Sequence, residues 1–188
     1  QLEFIVIPRG KTPLVRFMRM DIVYKLRYEI SKRLSKIDVI HAQWTYEYAY
    51  AILPFAKEKP CFCTVRDWCP YQMTLQKHWR DKLYWRWNQF FFKRVMATPR
   101  LHLIANSEYT YACIKAYDVR LRPHKLFNSI KSKFILTTRI HYPEIPTYIS
   151  IAQNITDPRK NIKTLLSAFQ KIRIQQEAKL LLIGAYNE

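Results

Sequence analysis

Two adjacent cations, Arg159 and Lys160, stand in the run Asn154-Ile155-Thr156-Asp157-Pro158-Arg159-Lys160-Asn161, where the pattern predicts that a helix begins. Helix N-termini carry partial positive charge, so basic residues there are unfavourable unless an anion sits among them. A phosphate group is the anion such a place would use. The plainer alternative is two solvated charges beside a strong cap, with Asp157 as N-cap and Pro158 at the first helical position. Elsewhere, Arg66 and Asp67 follow a predicted strand. His41 and Gln43 are two apart at the end of another, so they share one face. Parallel sheets place their binding crevice at such strand ends, although a lone strand histidine is more often structural.

Other chemistries are excluded or disfavoured. The four cysteines are Cys61, Cys63, Cys69 and Cys113. Their spacing lacks the paired C-x2-4-C pattern, or matching histidines, of a zinc site, and buried reduced thiols are expected instead. Only two glycines occur in 188 residues, against roughly 13 expected at ~7% usage. Gly10 and Gly184 stand alone, so neither a Walker loop nor a G-x-G-x-x-G fingerprint can form. The net charge of +18 would attract nucleic acid, anionic membrane or phosphorylated small molecules. It is spread along the chain without an Arg-rich tail or an RNA-binding signature, so nucleic acid is not favoured. Hydrophobic residues make up 49% and charged residues 24%, the balance of a globular chain.

The stretch 75–100 combines an apolar face (Trp79, Leu83, Trp87, Phe90 and Phe91) with Lys77, Arg80, Lys82, Arg86, Lys93 and Arg94. Helices of that kind can lie in the interface of an anionic membrane. The competing reading is a core-facing helix with a solvated basic back. No run reaches the ~18–20 apolar residues of a membrane span, and no signal peptide is evident at the start. The cytoplasm is the expected location, with the inner face of the membrane as a peripheral site.

These residues need elements to hold them. Strands are predicted at 2–7, 39–42, 62–65, 101–105, 125–127, 148–152 and 180–183, and helices at 13–34, 46–56, 75–96, 108–116 and 160–173. The alternation implies a parallel sheet covered on both faces. Between 128 and 146 the pattern dissolves into Ser, Thr and Pro, as in an interdomain linker. In the last helix Ile162, Leu165, Leu166, Phe169 and Ile172 form one apolar stripe.

The segment ISIAQNITDPRKNIKTLLSAFQKIRIQQEAKLLLIG resembles the start of the donor domain in glycosyltransferase family four, where a Lys-Asn or Lys-Gly pair opens a helix reading Leu-Leu-x-Ala-Phe. Upstream, DVIHAQWTYEYA, CTVRDWCP, LIANSEYT and LFNSIKSKFI are similar, in order, to landmarks of that family's acceptor domain. The resemblance implies that Lys160 contacts the donor diphosphate. The arginine that usually precedes this lysine has no counterpart; Asn154 is nearest its place, and Arg159 is the candidate substitute. The CTVRD strand end often reads Thr-Val-His-Asp in the family, so Arg66 stands where a histidine faces the sugar, with Asp67 after it. An arginine cannot act as a base near neutral pH, but it can orient a phosphate or a hydroxyl. His41, Gln43 and Asn106 fall in the acceptor cleft that the resemblance implies.

The fold implied is α/β of GT-B type. It comprises a partial Rossmann-like acceptor domain plus linker over 1–145 and the first β-α-β unit of a donor domain over 146–188, with the chain cut at both ends. The activity implied is retaining transfer of a hexose from a nucleotide-diphosphate sugar to a saccharide or lipid-linked saccharide, in cell-surface polysaccharide synthesis. Neither cofactor nor metal is expected. The family's E-x7-E glutamates and its N-terminal glycine-rich loop are absent from the chain, so activity of these residues alone is not expected. Two further readings are a degenerate inactive remnant and a basic protein that binds nucleic acid or an anionic membrane surface.

Overall fold

The computed structural model describes residues 5–129, 143–157 and 160–185. The chain divides into two compact units, Gln1–Ser129 and Ile130–Glu188. Most of the expected linker, 130–142, lies outside the described residues.

In the first unit, α1 (Pro13–Met18) starts at Thr12, whose hydroxyl accepts from the Val15 amide, with proline in the first turn. The single helix expected over 13–34 breaks at Arg19, which adopts a left-handed φ of 55°. Its amide donates to the Val15 carbonyl, closing α1, while its carbonyl accepts from Val23 and opens α2 (Met20–Arg33). Residues 5–7 of the expected first strand are not in a strand. Strand β1 (Ile40–Gln43) leads to α3 (Glu47–Ile52), which tightens into a 3-10 turn over Leu53–Lys57. Pro54 has no amide hydrogen to continue the α-helical ladder. The Tyr50 and Ala51 carbonyls instead accept from Arg27, at 3.2 and 3.3 Å.

After β2 (Cys61–Val65) comes a short helix, α4 (Cys69–Thr74), in place of the expected polar turn. Pro70 in its first turn pre-sets the helical φ. Helix α5 (Trp79–Met96) begins four residues later than expected, after an extended His78. Strand β3 (Leu101–Ala105) is followed by α6 (Glu108–Tyr117), capped by the Ser107 hydroxyl, and by the two-residue β4 (His124–Lys125).

The four strands are parallel and lie in chain order, β1-β2-β3-β4. With right-handed crossovers, an order that never reverses stacks every connecting helix on one face. One core cluster accordingly joins Ala42, Cys61, Cys63, Val65, Leu103 and Ala105 of the strands to Ile52, Phe92, Val95 and Ile114 of the helices. The alternate strand positions face the other way. His41, His102 and His124 are exposed there, Phe62 is half-buried, and the Phe62 and His102 rings stack at 4.9 Å. Thr64 and Ile104 are buried on that same face, so among the described residues it is open only in part, whereas the core cluster lies wholly on the other.

The helical layer is pinned by a buried cation. Arg19, 4% exposed, pairs with Glu47 at 2.7 Å, donates to the Asn88 carbonyl oxygen, and lies 4.9 Å from the Tyr84 ring centroid. Arg19 Nε and Asn88 Nδ2 are buried without a partner among the described residues. Trp87 donates to the Met18 carbonyl at 2.7 Å and packs with Phe90 on Val23, Ala51 and Phe91.

The second unit pairs β5 (Thr147–Asn154) in parallel with β6 (Lys179–Ala185) beside α7 (Ile162–Gln175). The stripe of α7 is confirmed at Ile162, Leu165, Phe169 and Ile172, all half-buried, whereas Leu166 is exposed. Phe169 meets Tyr148 edge to face at 6.0 Å. At Gly184 a Cβ would collide with the Ala152 carbonyl oxygen, so only glycine lets the two strands approach there.

Removing one partner of a buried ion pair leaves an uncompensated charge. Arg19→Met is expected to lower stability by about 3–5 kcal/mol in urea unfolding. The double change Arg19→Met with Glu47→Leu should lose less than that single change, whereas additive losses would show the pair to be unimportant.

Candidate functional site

At the carboxyl ends of β1, β2 and β3 the first unit gathers most of the residues singled out from the sequence. Gln43 and Thr64 are register partners, and the next residue, Trp44, donates its amide to the Thr64 carbonyl at 3.0 Å. Trp44 takes a left-handed φ of 62°, an unfavoured conformation for an aromatic residue, and its side chain is 40% exposed. Arg66 reaches across from β2: its Nε donates to Gln43 Oε1 at 2.8 Å, and its guanidinium carbon lies 5.4 Å from the Trp44 ring centroid. His41 Nε2 is 2.8 Å from Thr64 Oγ1 and 3.3 Å from Gln43 Nε2. His41, Gln43 and Arg66 are thus joined side chain to side chain along one sheet face, with Trp44 beneath the cation.

Asp67 is held separately. The Tyr46 hydroxyl donates to its Oδ1 at 2.7 Å. Burial pushes the Tyr46 phenol well above its usual range, and the Asp67 charge adds to the shift, so Tyr46 remains a donor. The Cys69 thiol is pushed up to about 12 by burial, with Asp67 contributing, and Cys63 to about 12 by burial alone. These cysteines are free thiols.

Asn106 follows Ala105, which pairs with Val65, so it emerges beside the Arg66 strand end. Its Oδ1 accepts from the Thr110 hydroxyl at 3.1 Å, and Ser107 caps the same turn. The structure therefore gives Asn106 a local part in starting α6, in addition to its place at the strand end.

The second unit presents its own strand end. Asn154, the last residue of β5, accepts from the Thr156 amide at 2.9 Å and from its hydroxyl at 2.7 Å, an Asx turn. Lys160 is exposed, with its amide donating to the Asp157 carbonyl at 2.9 Å. The helix does not start at Lys160 as expected. Asn161 takes a left-handed φ of 50° and forms the cap, so α7 opens at Ile162 and Lys160 precedes the first turn. Asparagine tolerates that conformation better than most residues. Pro158 and Arg159 lie outside the described residues.

Chemically, the first site offers a permanent cation fixed by an amide, an aromatic surface and a carboxylate held by a phenol. A guanidinium has no lone pair to take a proton. Arg66 can orient an anion or a hydroxyl but not deprotonate it. Sequence reasoning missed Trp44 and Tyr46 as parts of the site. Both lie in the DVIHAQWTYEYA landmark, but only three-dimensional pairing shows the positive φ and the bond to Asp67. A cavity of about 760 Å³ against Thr98, His102, Arg120 and Arg122 lies at the opposite, amino-terminal end of β3. No group of three or more His, Cys, Asp or Glu able to hold a metal is found among the described residues. No known family model matches the chain, and no curated protein matches it either.

Two outcomes test this geometry. A left-handed conformation costs roughly 1–2 kcal/mol for a residue with a Cβ and little for glycine. Trp44→Gly should therefore unfold at higher urea than Trp44→Ala, by about 1 kcal/mol; equal stabilities would refute the strained turn. The second concerns pH. The folded-state thiols of Cys63 and Cys69 are raised to about 12 from 9.0, so the unfolded chain ionises first. Their contribution is complete below pH ~9 and is lost as pH climbs towards ~12. Urea unfolding in reductant should show this decline, and Cys63→Ala with Cys69→Ala should flatten it.

Proposed function

We propose that this chain serves sugar transfer from a nucleotide-diphosphate sugar to a saccharide or lipid-linked saccharide, with retention of configuration, on the cytoplasmic side of a membrane. The observation that carries the reading is the side-chain cluster at the carboxyl ends of the parallel strands, where Gln43 fixes the Arg66 guanidinium over Trp44. Open parallel sheets bind ligands at that end. In this reading Arg66 orients the acceptor or a phosphate oxygen, His41 and Gln43 complete the acceptor wall, and Asp67 fixes a sugar hydroxyl. Lys160, with Asn154 at the β5 strand end and Arg159 beside it, takes the leaving diphosphate, whose growing charge a cation stabilises in the transition state. Mixed α/β units with parallel strands support this reading, as do the ordered landmarks from DVIHAQWTYEYA onward. Neither a metal nor an organic cofactor has a role in it.

The test is a titration of the isotope-labelled chain with uridine and guanosine diphosphates, followed by nuclear magnetic resonance. Saturable shifts are expected at the amides of Asn154, Thr156, Lys160 and Asn161. Lys160→Ala should weaken binding about fivefold, the factor for roughly 1 kcal/mol of an exposed ion pair. No saturable shift, or shifts unaffected by Lys160→Ala, would sink the diphosphate assignment and favour an inactive remnant.

A further inference from the structure

The sequence pattern offers all of 75–100 as one basic-aromatic face, and the structure divides it. Trp87, Phe90 and Phe91 turn inward, Phe91 fully buried and Trp87 bonded to the Met18 carbonyl. Trp79 and Leu83 turn outward and remain 70% and 49% exposed. With Met73 of α4 and the side chains of Lys82 and Arg86, they line a groove of about 440 Å³ on the outside of the α4–α5 corner. Around it, Lys77, Arg80, Lys82 and Arg86 are all exposed, with Asp81 as the one carboxylate between 75 and 86. The Arg80 guanidinium carbon lies 5.4 Å from the Trp79 ring centroid.

We infer that this corner is a membrane-docking site, in which Trp79 and Leu83 enter the interface of an anionic bilayer while Lys77, Arg80, Lys82 and Arg86 meet the lipid phosphates. Three physical arguments select that occupant. The cations complement an anionic surface, each worth about fivefold in partitioning. Lysine and arginine lay their methylene stems along apolar surface and keep their heads in the polar layer, which fits side chains that line an apolar groove and rim it with charge. A tryptophan at the boundary is the residue suited to headgroup depth. Single-stranded nucleic acid fits less well, because successive bases need successive exposed rings. Along α5, Trp79 is the exposed ring outside any ring pair, since Tyr84 is engaged edge to face by Phe17 and Trp85 and Trp87 is stacked on Phe90, and the exposed Tyr71 of α4 does not line the groove. No helix among the described residues is long and apolar enough to cross a membrane, so the contact is peripheral.

The experiment is flotation of the purified chain with vesicles of phosphatidylcholine alone or mixed with phosphatidylglycerol, over a salt series. Binding to the mixed vesicles only, falling with salt, is expected. Lys82→Gln with Arg86→Gln should lower it about 25-fold, the product of two charges at about fivefold each. Trp79→Ala with Leu83→Ala should lower it at least as much. Lys57→Gln with Lys59→Gln removes the same charge from a different surface and should lower it far less. Quenching of indole fluorescence by bromine-labelled lipid should be largely lost in Trp79→Phe, which keeps an aromatic side chain at an exposed position. The proposal is overturned if nothing floats, if both charge pairs lower binding equally, or if Trp79→Phe leaves the quenching intact. It is likewise overturned if a single-stranded oligonucleotide, and no vesicle, binds through these residues. The vesicle assay reads the α4–α5 corner and the nucleotide titration reads the second unit, so the two readings fail separately.

Discussion

A guanidinium withdrawn from water must be answered on several sides, and Arg19 organises the helical layer for that reason. Desolvating a charge costs several kcal/mol unless partners replace the lost water. Here they come from separate parts of the chain: Glu47 at the start of α3, Asn88 and Tyr84 on α5, and the ring of Phe91. Any displacement of α2, α3 or α5 relative to the others breaks one of these contacts. The same constraint reaches the strand-end cluster, because Glu47 directly follows Tyr46, whose hydroxyl holds Asp67. A bond in the helical layer thus sets where a carboxylate stands at the strand ends.

The sheet carries a second constraint. Its strands run in chain order, so the connecting helices share a face and that face holds the core. The thiols of Cys61 and Cys63 belong to this dry side, while His41, Phe62, His102 and Arg66 belong to the other. Parity along the strand therefore separates the inert cysteines from the groups able to bind a ligand.

Much of this is legible in the sequence because it is local. Strands expected at 39–42, 62–65 and 101–105 are found at Ile40–Gln43, Cys61–Val65 and Leu101–Ala105, since β-branched and apolar runs between polar turns identify themselves. The α7 stripe is equally plain. The break at Arg19 is not, because its cause lies 28 residues away in Glu47 and 69 away in Asn88. The pattern starts the last helix at Lys160, but the left-handed turn at Asn161 sets the start of α7 at Ile162. For the site, strand ends locate His41, Gln43, Arg66 and Asn106; nothing in residue spacing shows that Gln43 grips Arg66 or that Asn106 also serves α6.

Glycine and the left-handed backbone have exchanged their customary partners in this chain. Among the described residues, positive φ occurs at Arg19, Trp44 and Asn161, and at neither glycine. Gly10 and Gly184 are needed only for room, since a Cβ at either would strike a neighbour. Each left-handed position thereby keeps a side chain that contributes something a glycine could not: an ion pair at Arg19, an aromatic surface at Trp44, and at Asn161 an oxygen that accepts from the Thr164 hydroxyl. A polypeptide with so few glycines also explores a narrower range of backbone states when denatured, which leaves less disorder to be surrendered on folding. The local strain at these three turns is thus set against a stiffer denatured chain, a balance visible in no single contact of the native structure.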